Sequence, residues 1–465
     1  MPTLLERAAS FLASLDPASL DGAARAAACE ALTDCVGVAL AGSREPVARN
    51  LRTWARARAA GRSATVLGTR LRLDPENAAL CNAVAGHALD FDDTSWTTIG
   101  HPSVVVAPVA LAVGEEIGAS GLAAVGAYLA GVEVAHRLAE TVMPEVSRNG
   151  WHTTAALYAV GAAAAACALR RPGEAATIHA LAIALTRSGG LRANFGTQAK
   201  PLHAGLAARS GLEAVSLAMA GVTASAEAFE GADGFAACFA GPAARARIDP
   251  GAVRFGEPFD LVARGLAYKR YPCCSGAHPA LDLILDLRRA HGIAAEHVRE
   301  IRVGTSLLAE RELVCHAPRT PAEARFSLEF ALAAALVRGR VALDTFDDAT
   351  LADPALRRVM ERVRMTVSPS LARLGFIGTA PVEMEIEVEG GRVISGSRDL
   401  AVGNPERPLS EADRRAKFLA CAGRALAPSA AESAYLALRD LADLPGLEPL
   451  LDTLAGSPSP PAPVT

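Results

Sequence analysis

One stretch decides the fold class: Val382-Glu383-Met384-Glu385-Ile386-Glu387-Val388, followed by Gly390-Gly391 and then Val393-Ile394. Apolar and charged residues alternate with a period of two, which predicts a strand with one buried and one solvated face. The two glycines predict a tight turn into a second strand. Val298 to Val303 predicts a further strand. Helical patterns occupy much of the surrounding sequence, at residues 279–290, 327–337 and 351–363. We therefore expect an α+β unit over residues 266–401.

Outside this unit the sequence predicts helices. From residue 1 to 265 apolar residues recur three and four apart, and caps such as Asp74-Pro75-Glu76 mark helix starts. A chain of 465 residues exceeds the roughly 250–300 that one core supports. We predict one helical domain from residues 1–265 and 402–453, closed by the α+β unit as a lid. Residues 454–465, rich in proline, are expected to be a disordered tail.

Composition excludes several classes of function. Hydrophobic residues make up 51%, aromatic residues 5% and charged residues 21%, and the net charge is −4 without a basic stripe, so nucleic acid is not an expected partner. Nine cysteines without a CxxC pair, and a first apolar stretch interrupted by Glu6 and Arg7, predict a cytoplasmic protein. The uncharged stretch Thr153 to Leu169 predicts a buried helix and no membrane partner.

Acidic, basic and hydroxyl groups concentrate in fifteen residues between His87 and His101. Proton-transfer catalysis needs such groups within hydrogen-bond reach of one substrate. Two other interpretations stay open at this point: the aspartates could simply cap a helix end, or they could ligate a hard metal, although no EF-hand spacing is present. The members of the cluster are His87, Asp90, Asp92, Asp93, Thr94 and His101.

A basic residue precedes a helix-opening proline three times, in His101-Pro102, Lys200-Pro201 and His278-Pro279. Proline favours the first helical position, and a helix N-terminus attracts anions, so each pair could cradle a carboxylate. His203 lies one turn after Lys200 and could share its site. The alternative is that the prolines only mark helix starts, with the third helix beginning earlier, at Ser275.

The segment Tyr268 to Cys274 falls at the predicted domain junction. Lys269 and Arg270 could bind a further carboxylate, or could be solvated surface charges. The vicinal Cys273 and Cys274 suggest a nucleophilic cysteine, but we identify no oxyanion pocket for one. Trp151-His152 is assigned to packing or capping. GxGxxG, Walker, GxSxG and HExxH motifs are all absent from the sequence.

Several of these motifs together resemble the MmgE/PrpD family, which includes 2-methylcitrate dehydratases, cis-aconitate decarboxylases and iminodisuccinate epimerases. The resemblance covers nearly the whole chain and is most specific from Gly86 to Thr94, followed by His101-Pro102-Ser103. Four further segments support it in the same order, namely Lys200 to Gly205, Tyr271 to His278, Thr320 to Leu328, and Pro408-Leu409-Ser410.

The resemblance implies a helical domain built from both chain ends, an α+β lid, a homodimer, and no metal or organic cofactor. It implies five catalytic residues, at Asp90, Thr94, His101, Lys200 and His278. A sixth position, tyrosine in the decarboxylase, falls on Phe330, which removes a phenolic donor. The dehydratases carry Asn in an Asp-Phe-Asn-Asp-Thr motif and lack the Lys-Pro-Leu-His-Ala-Gly segment, so the chain is more similar to the decarboxylase and epimerase branch.

The function we predict is a cofactor-independent lyase, a dehydratase or decarboxylase, acting on a small di- or tricarboxylate. His101 and Asp90 would form the acid-base pair, Lys200 and His203 would stabilise charge on a carboxylate, and Thr94 would orient a substrate oxygen. His278 would move a second proton from the lid side. The alternatives are an epimerase that uses the same groups and a non-catalytic helical binding protein.

Overall fold

A computed structural model describes residues 1–376 and 378–456 of the chain. The predicted tail therefore lies almost wholly outside the described residues. The first part of the chain is mostly helical and contains one small antiparallel ribbon, β1 (Ala64–Thr65) with β2 (Arg72–Leu73). Its helices are α1 (Leu4–Ser14), α2 (Gly22–Gly42), α3 (Pro46–Arg56), α4 (Pro75–His87), α5 (Ser103–Glu116), α6 (Gly121–Ala139), α7 (Glu145–Arg148), α8 (Thr153–Arg170), α9 (Glu174–Thr186), α10 (Ala199–Met219), α11 (Pro242–Arg245) and α12 (Asp260–Ala263).

Not all of residues 1–265 follow the predicted succession of helices. After α10 ends at Met219, the chain runs mainly through turns, with α11 and α12 only four residues long. Glycine and proline recur in this region and interrupt the helical period. The turns still pack on the helices through Phe229 and Phe235, both of which belong to the large core.

Helix α4 begins as the sequence predicts. The Asp74 carboxylate accepts the backbone N–H of Asn77, and Pro75 occupies the first turn, where no N–H is needed. The helix ends at His87, so Asp90 lies beyond it. Asp90 adopts a left-handed conformation, φ 51°, in the loop that follows.

Helix α8 forms the centre of the large core. It packs against α5, α6, α9 and α10, and 83% of it is buried within the protein. By length and composition alone this one helix could cross a membrane. Small residues allow its close packing, since a Cβ added at Gly161 would lie 2.7 Å from the carbonyl oxygen of Gly131 in α6. The predicted buried helix at Thr153 to Leu169 is thus confirmed.

Helix α10 approaches α4 just as closely, and this contact positions the site. A Cβ added at Gly205 would lie 2.7 Å from the carbonyl oxygen of Leu80 and 2.6 Å from the side chain of Val84. Glycine therefore lets the two backbones meet. The end of α4 and the start of α10 consequently lie side by side.

The remaining elements form the α+β part and the C-terminal helices. The strands are β3 (Val298–Thr305), β4 (Val363–Val367), β5 (Val382–Val388) and β6 (Val393–Arg398). The helices are α13 (His278–His291), α14 (Leu307–Glu312), α15 (Pro321–Ala324), α16 (Leu328–Arg338), α17 (Asp348–Leu351), α18 (Pro354–Met360), α19 (Pro369–Ala372), α20 (Glu411–Ala422), α21 (Pro428–Arg439) and α22 (Glu448–Leu454).

The four strands form one mixed sheet in the order β4-β3-β5-β6. The predicted hairpin is confirmed, with Ile386 opposite Ile394 and a turn at Gly390-Gly391. The predicted helix over 351–363 is wrong in part. Asp353-Pro354 starts a new, shorter helix, and Val363 begins β4, which pairs in parallel with β3. Proline has no backbone N–H to donate within a helix, which explains the break.

Two large hydrophobic cores divide the chain. One contains buried residues from Leu4 to Leu266 together with Phe418 to Leu454, so helices from both chain ends pack together. The other contains buried residues from Tyr271 to Ile394. In this second core, helices α13 and α16 pack against the sheet. The architecture is mainly helical with an α+β part between the helical segments, in agreement with the predicted fold class.

Candidate active site

A cavity with about 480 Å³ of empty space, its opening to solvent included, lies where residues of the two cores meet. The helical side contributes the loop after α4, the start of α8 and the start of α10, and the α+β side contributes the segments around Cys274, Glu312 and Phe326. The residues that line the cavity include Asp90, Thr94, His101, His152, Arg192, Lys200, Cys274, Ser275, Glu312 and Phe326. Four of the five predicted catalytic residues, Asp90, Thr94, His101 and Lys200, therefore meet at one place.

Asp90 joins two buried lysines at the floor of this cavity. The Lys200 ammonium donates to one carboxylate oxygen, and Lys269 Nζ donates to the other at 2.9 Å and to the Asp90 carbonyl at 2.8 Å. All three residues are only 3% exposed. Lys200 comes from α10 and Lys269 from the junction between the two cores, so Asp90 ties both to the end of α4.

Burial alone would raise the pKa of Asp90, but the Lys200 and Lys269 ammoniums outweigh it and hold this pKa well below its usual range. In Lys269 burial is likewise outweighed, chiefly by the Asp90 charge, and its pKa is raised. The Asp90 carboxylate therefore stays ionised. This argues against the predicted His101–Asp90 acid-base pair and gives Asp90 the role of holding two cations in place.

Lys200 stands in the first turn of α10, one residue after its start at Ala199. Its Nζ lies 5.1 Å from the ring centre of Phe195 and 4.9 Å from that of Phe326, both favourable for a cation. The helix N-terminus adds a partial positive charge beside the ammonium. A carboxylate entering the cavity would meet the Lys200 ammonium.

His101 immediately precedes Pro102, the N-cap of α5. Its Nδ1–H donates to the carbonyl oxygen of Asp93 at 2.6 Å, because a carbonyl can only accept. Nε2 is therefore the unprotonated nitrogen. Burial lowers the pKa of His101 to about 3, so the ring is neutral near neutral pH. A neutral imidazole with one nitrogen anchored and the other free can accept a proton.

Asp92 and Asp93 support this geometry from behind. Asp92 accepts His87 Nδ1–H at 2.8 Å and lies 3.4 Å from His101 Nδ1. Asp93 accepts the hydroxyl of Ser103, which also contacts the Tyr128 hydroxyl at 2.6 Å. Burial raises the pKa of Asp93 to about 8. Both carboxyls thus fix the loop that carries Asp90, Thr94 and His101.

Thr94 connects the main cavity with a smaller one on the lid side. Its hydroxyl contacts that of Ser275 at 2.9 Å, and both residues line both spaces. His278 and Lys269 line the smaller space. His278 donates Nε2–H to the Cys273 carbonyl at 3.1 Å, and burial lowers its pKa to about 3. His278 is therefore a neutral ring whose Nδ1 can only accept.

The three predicted helix starts are confirmed in position. Pro102, Gln198 and Ala277 are the N-caps of α5, α10 and α13, so each basic residue lies within two residues of a cap. A short 3-10 turn does begin earlier, at Ser275, before the third helix. His101 and Lys200 share the main cavity, while His278 lies in the adjoining one.

His152 is a cavity residue that the sequence interpretation missed. It caps α8, as predicted, but its ring also lines the cavity and lies 5.5 Å from the ring of His87, centre to centre. Its Nδ1 lies 3.2 Å from Nδ1 of His203, which lines neither space. His203 thus lies behind His152. Only the pairing of a histidine with a helix start, as at His101, could have signalled His152.

Two predicted features lie away from the cavity. The Arg270 side chain is 48% exposed and approaches Asp282 at 3.4 Å, so it is placed as a surface charge. Phe330 is fully buried in the α+β core, with its ring 5.4 Å from that of Phe346. The aromatic residues at the cavity wall include Phe326, together with Phe195, Trp96 and Trp151. The apolar replacement at 330 therefore does not alter the lining itself.

The cysteines do not form a nucleophilic site. Cys274 lines the cavity, but burial raises the pKa of its thiol well above the usual value, and burial likewise raises that of Cys273. A thiol nucleophile requires the opposite shift. The Cys274 thiol instead donates to Glu312 Oε2 at 3.6 Å. The alternative of a catalytic cysteine loses its physical basis.

One group of side chains in the described part of the chain brings three possible metal ligand atoms within 4.8 Å of one another. It consists of His87, Asp92 and His101. The Nδ1–H groups of both histidines are already used in hydrogen bonds, to the Asp92 carboxylate and to the Asp93 carbonyl. The predicted alternative of three aspartate ligands is not formed, since Asp90 is taken by lysines and Asp93 by Ser103.

Comparison with known proteins adds an independent observation. The family model of the MmgE/PrpD N-terminal domain matches residues 6–247, and that of the MmgE/PrpD C-terminal domain matches residues 271–443. A human cis-aconitate decarboxylase is 29% identical over 448 residues, which cover 92% of this chain and 90% of the relative. The mouse protein of the same name is 29% identical over 443 residues, 91% and 88% of the two chains. A cis-aconitate decarboxylase of Aspergillus terreus is 24% identical over 413 residues, covering 84% and 83%.

Proposed function

The chain belongs to the MmgE/PrpD family, and we propose that it is a cofactor-independent lyase acting on a small di- or tricarboxylate. One observation carries the proposal: a neutral, anchored His101 and the buried ammonium of Lys200 line the same cavity. Relatives matched over about nine-tenths of their length are named cis-aconitate decarboxylases. Decarboxylation of an unsaturated tricarboxylate is therefore the first reaction to test.

Lys200 supplies the electrostatic part of the mechanism. When carbon dioxide or water leaves, or when a proton is removed, negative charge develops on the carbon next to a carboxylate. A buried cation placed beforehand stabilises this charge without reorganisation. Asp90 holds the ammonium in place through a buried ion pair.

Proton transfer is the second part of the mechanism. Nε2 of His101 accepts the proton in a dehydration, while the Thr94 hydroxyl, paired with Ser275, orients a substrate oxygen. His278 accepts at Nδ1 from the lid side. A decarboxylation instead ends with a proton delivered to carbon, for which the site needs a donor. The predicted homodimer and cytoplasmic location stay predictions of the sequence.

An epimerase is the alternative within the same chemistry, because removal and return of one proton would use the same His101 and Lys200. A third alternative, from another class, is a helical binding protein without activity. The neutral base within reach of a fixed cation favours catalysis over binding alone, since a simple carboxylate binder would be served better by charged imidazoles.

Proton NMR in D₂O tests the proposal and separates these alternatives. Citrate, 2-methylcitrate, cis-aconitate and iminodisuccinate are incubated with the protein. A decarboxylase loses a carboxylate and gains deuterium at carbon, a dehydratase forms an olefin with every carboxylate retained, and an epimerase exchanges the α-proton without an olefin. If no acid reacts and none raises the melting temperature, the proposal of a polycarboxylate enzyme is wrong.

A further inference from the structure

Each lyase reaction proposed for this site requires a proton donor, either for carbon after decarboxylation or for a leaving hydroxyl. His101 and His278 are poorly suited to this. His101 donates its only N–H to the Asp93 carbonyl, and His278 donates its own to the Cys273 carbonyl. Their pKa values of about 3, lowered by burial, leave both rings neutral. The donor must therefore be sought elsewhere on the cavity wall.

Glu312 is a carboxyl group on that wall. It is the last residue of α14 and reaches the cavity from the α+β side, whereas His101 lies on the helical side. The Cys274 thiol donates to Oε2 at 3.6 Å and fixes the orientation of the group. Among the described residues no other hydrogen bond engages the side-chain carboxyl of Glu312, so its Oε1 is left for a ligand.

The surroundings of Glu312 shift its carboxyl toward the protonated form. Burial raises its pKa, and the Asp90 charge acts in the same direction. The Lys200 and Arg192 charges and the Cys274 hydrogen bond oppose the shift without cancelling it. A substrate carboxylate that binds Lys200 would weaken the effect of this cation on Glu312 and so favour the protonated carboxyl further.

We propose that Glu312 is a catalytic proton donor of this cavity, facing the acceptor His101 across the bound polycarboxylate. This rests on the proposed lyase function and names a residue for it. Glu312 belongs to none of the sequence motifs and lies between the segments Tyr271 to His278 and Thr320 to Leu328. Its position at the end of a helix that the sequence did not predict explains why it was missed.

The proton step is balanced without an oxidant or reductant. In a decarboxylation the bond between carbon and the leaving carboxylate breaks, carbon dioxide departs, and the electron pair stays on carbon. The O–H bond of Glu312 then breaks and its proton forms the new C–H bond. In a dehydration the same proton goes to the leaving hydroxyl, which departs as water. Glu312 remains as a carboxylate and takes its next proton from water.

The first test is the pH dependence of turnover in Glu312→Gln, Glu312→Asp and the wild type. A donor must be protonated, so wild-type kcat should fall as pH rises through the Glu312 pKa in the complex. This fall is the alkaline limb of the pH profile. Glu312→Gln keeps an oxygen for Cys274 but has no acidic proton. We expect it to lower kcat by about 10²-fold, with KM little changed, and to remove this limb. Glu312→Asp should retain the limb.

The matched control is Glu310→Gln, on the same helix but exposed and outside the cavity. It should behave as the wild type does. A Glu312→Gln variant that keeps the same kcat and the same alkaline limb would overturn the proposal. A loss of activity in Glu312→Gln that leaves the limb in place would show a structural role only, and would overturn it equally.

A second measurement does not depend on turnover. Calorimetric titration with propane-1,2,3-tricarboxylate, in buffers of different ionisation enthalpy between about pH 6 and 9, measures protons taken up on binding. We expect uptake by the wild type and Glu310→Gln but not by Glu312→Gln. Binding with equal uptake in all three would overturn the role of Glu312. Uptake that depends on Glu312, with no acid turned over, would overturn the lyase function but not the protonation of Glu312.

Discussion

Asp90 shows how a single residue organises the site. Its left-handed backbone, φ 51°, is uncommon for a residue with a side chain and costs about 1–3 kcal/mol. That conformation turns the carboxylate toward Lys200 and the carbonyl toward Lys269 at once. Strain at this point is compensated by the two buried ion pairs, and the result is a fixed pair of cations.

His101 carries the first prediction at the scale of a residue. The variant His101→Asn keeps a polar side chain but loses the basic nitrogen, so we expect kcat to fall by about 10²-fold or more. Because burial lowers the pKa of His101 to about 3, wild-type kcat/KM should show no loss near the ordinary histidine pKa of 6.5. Both are measured by steady-state kinetics on the acid found by NMR.

The control for this prediction is His291→Ala, an exposed histidine at the end of α13. It should leave kcat and the pH profile unchanged. Near-normal turnover in His101→Asn, or an acid limb close to pH 6.5 that His101→Asn removes, would contradict the assignment of His101 as a neutral base.

The loop before α5 carries a prediction at the scale of an element. The pKa of Asp93 is raised by burial from 3.8 to about 8, so the folded state binds its proton more tightly than the unfolded state. Asp93 therefore stabilises the fold at low pH, and this contribution is lost as pH rises toward 8. We expect Asp93→Asn to lose less stability than the wild type between about pH 5 and 9 in urea unfolding.

The exposed Asp344→Asn is the control, because Asp344 pairs with Arg340 at the surface and its pKa is lowered, not raised. Its pH dependence should follow that of the wild type across the same interval. Parallel curves for Asp93→Asn and the wild type would show that Asp93 is already ionised in the fold.

The contact between α4 and α10 carries the second element-scale prediction. In Gly205→Ala the new methyl would meet the Leu80 carbonyl at 2.7 Å, so the helices must separate. We expect a loss of about 1–3 kcal/mol in the free energy of unfolding, as for other overpacked interiors. Because the same contact places Lys200 beside Asp90, kcat should fall as well.

Gly22→Ala is the matched control for Gly205→Ala. Gly22 also lies in a helix, but a Cβ added there meets nothing within 4 Å. Its stability should be unchanged or slightly increased. Equal stability and equal kcat for Gly205→Ala and the wild type would contradict the role of close helix contact in placing Lys200.

Sequence patterns in this chain predict local structure better than they predict which distant segments pack together. The Asp74 cap of α4 and the Gly390-Gly391 hairpin follow from nearby residues alone. The parallel pairing of β4 with β3 does not follow from nearby residues. The two strands lie about sixty residues apart, and Val363-Arg364-Met365 alternates apolar and charged residues over only a short stretch. His152 and Glu312 were missed for a similar reason, since only tertiary packing brings them to the cavity.

At the scale of the whole molecule, the site depends on both cores. The helical side supplies His101 and Lys200, the α+β side supplies Cys274, Glu312 and Phe326, and Lys269 comes from the junction. The sequence predicted such a division and the residues on its helical side. It left the position of Arg270 open, because a charge at a junction can face either the cleft or the solvent, and only the fold of the neighbouring Asp282 segment decides.

The most direct measurement of the central claim is the turnover of the acid identified by NMR, compared between the wild type and Lys200→Met. Methionine keeps the length of the side chain and removes the charge, while Lys269 still pairs with Asp90. If Lys200 stabilises charge on a substrate carboxylate, kcat should fall by about 10²–10³-fold with the circular dichroism spectrum unchanged. A folded Lys200→Met protein with at least half of the wild-type kcat would contradict the account.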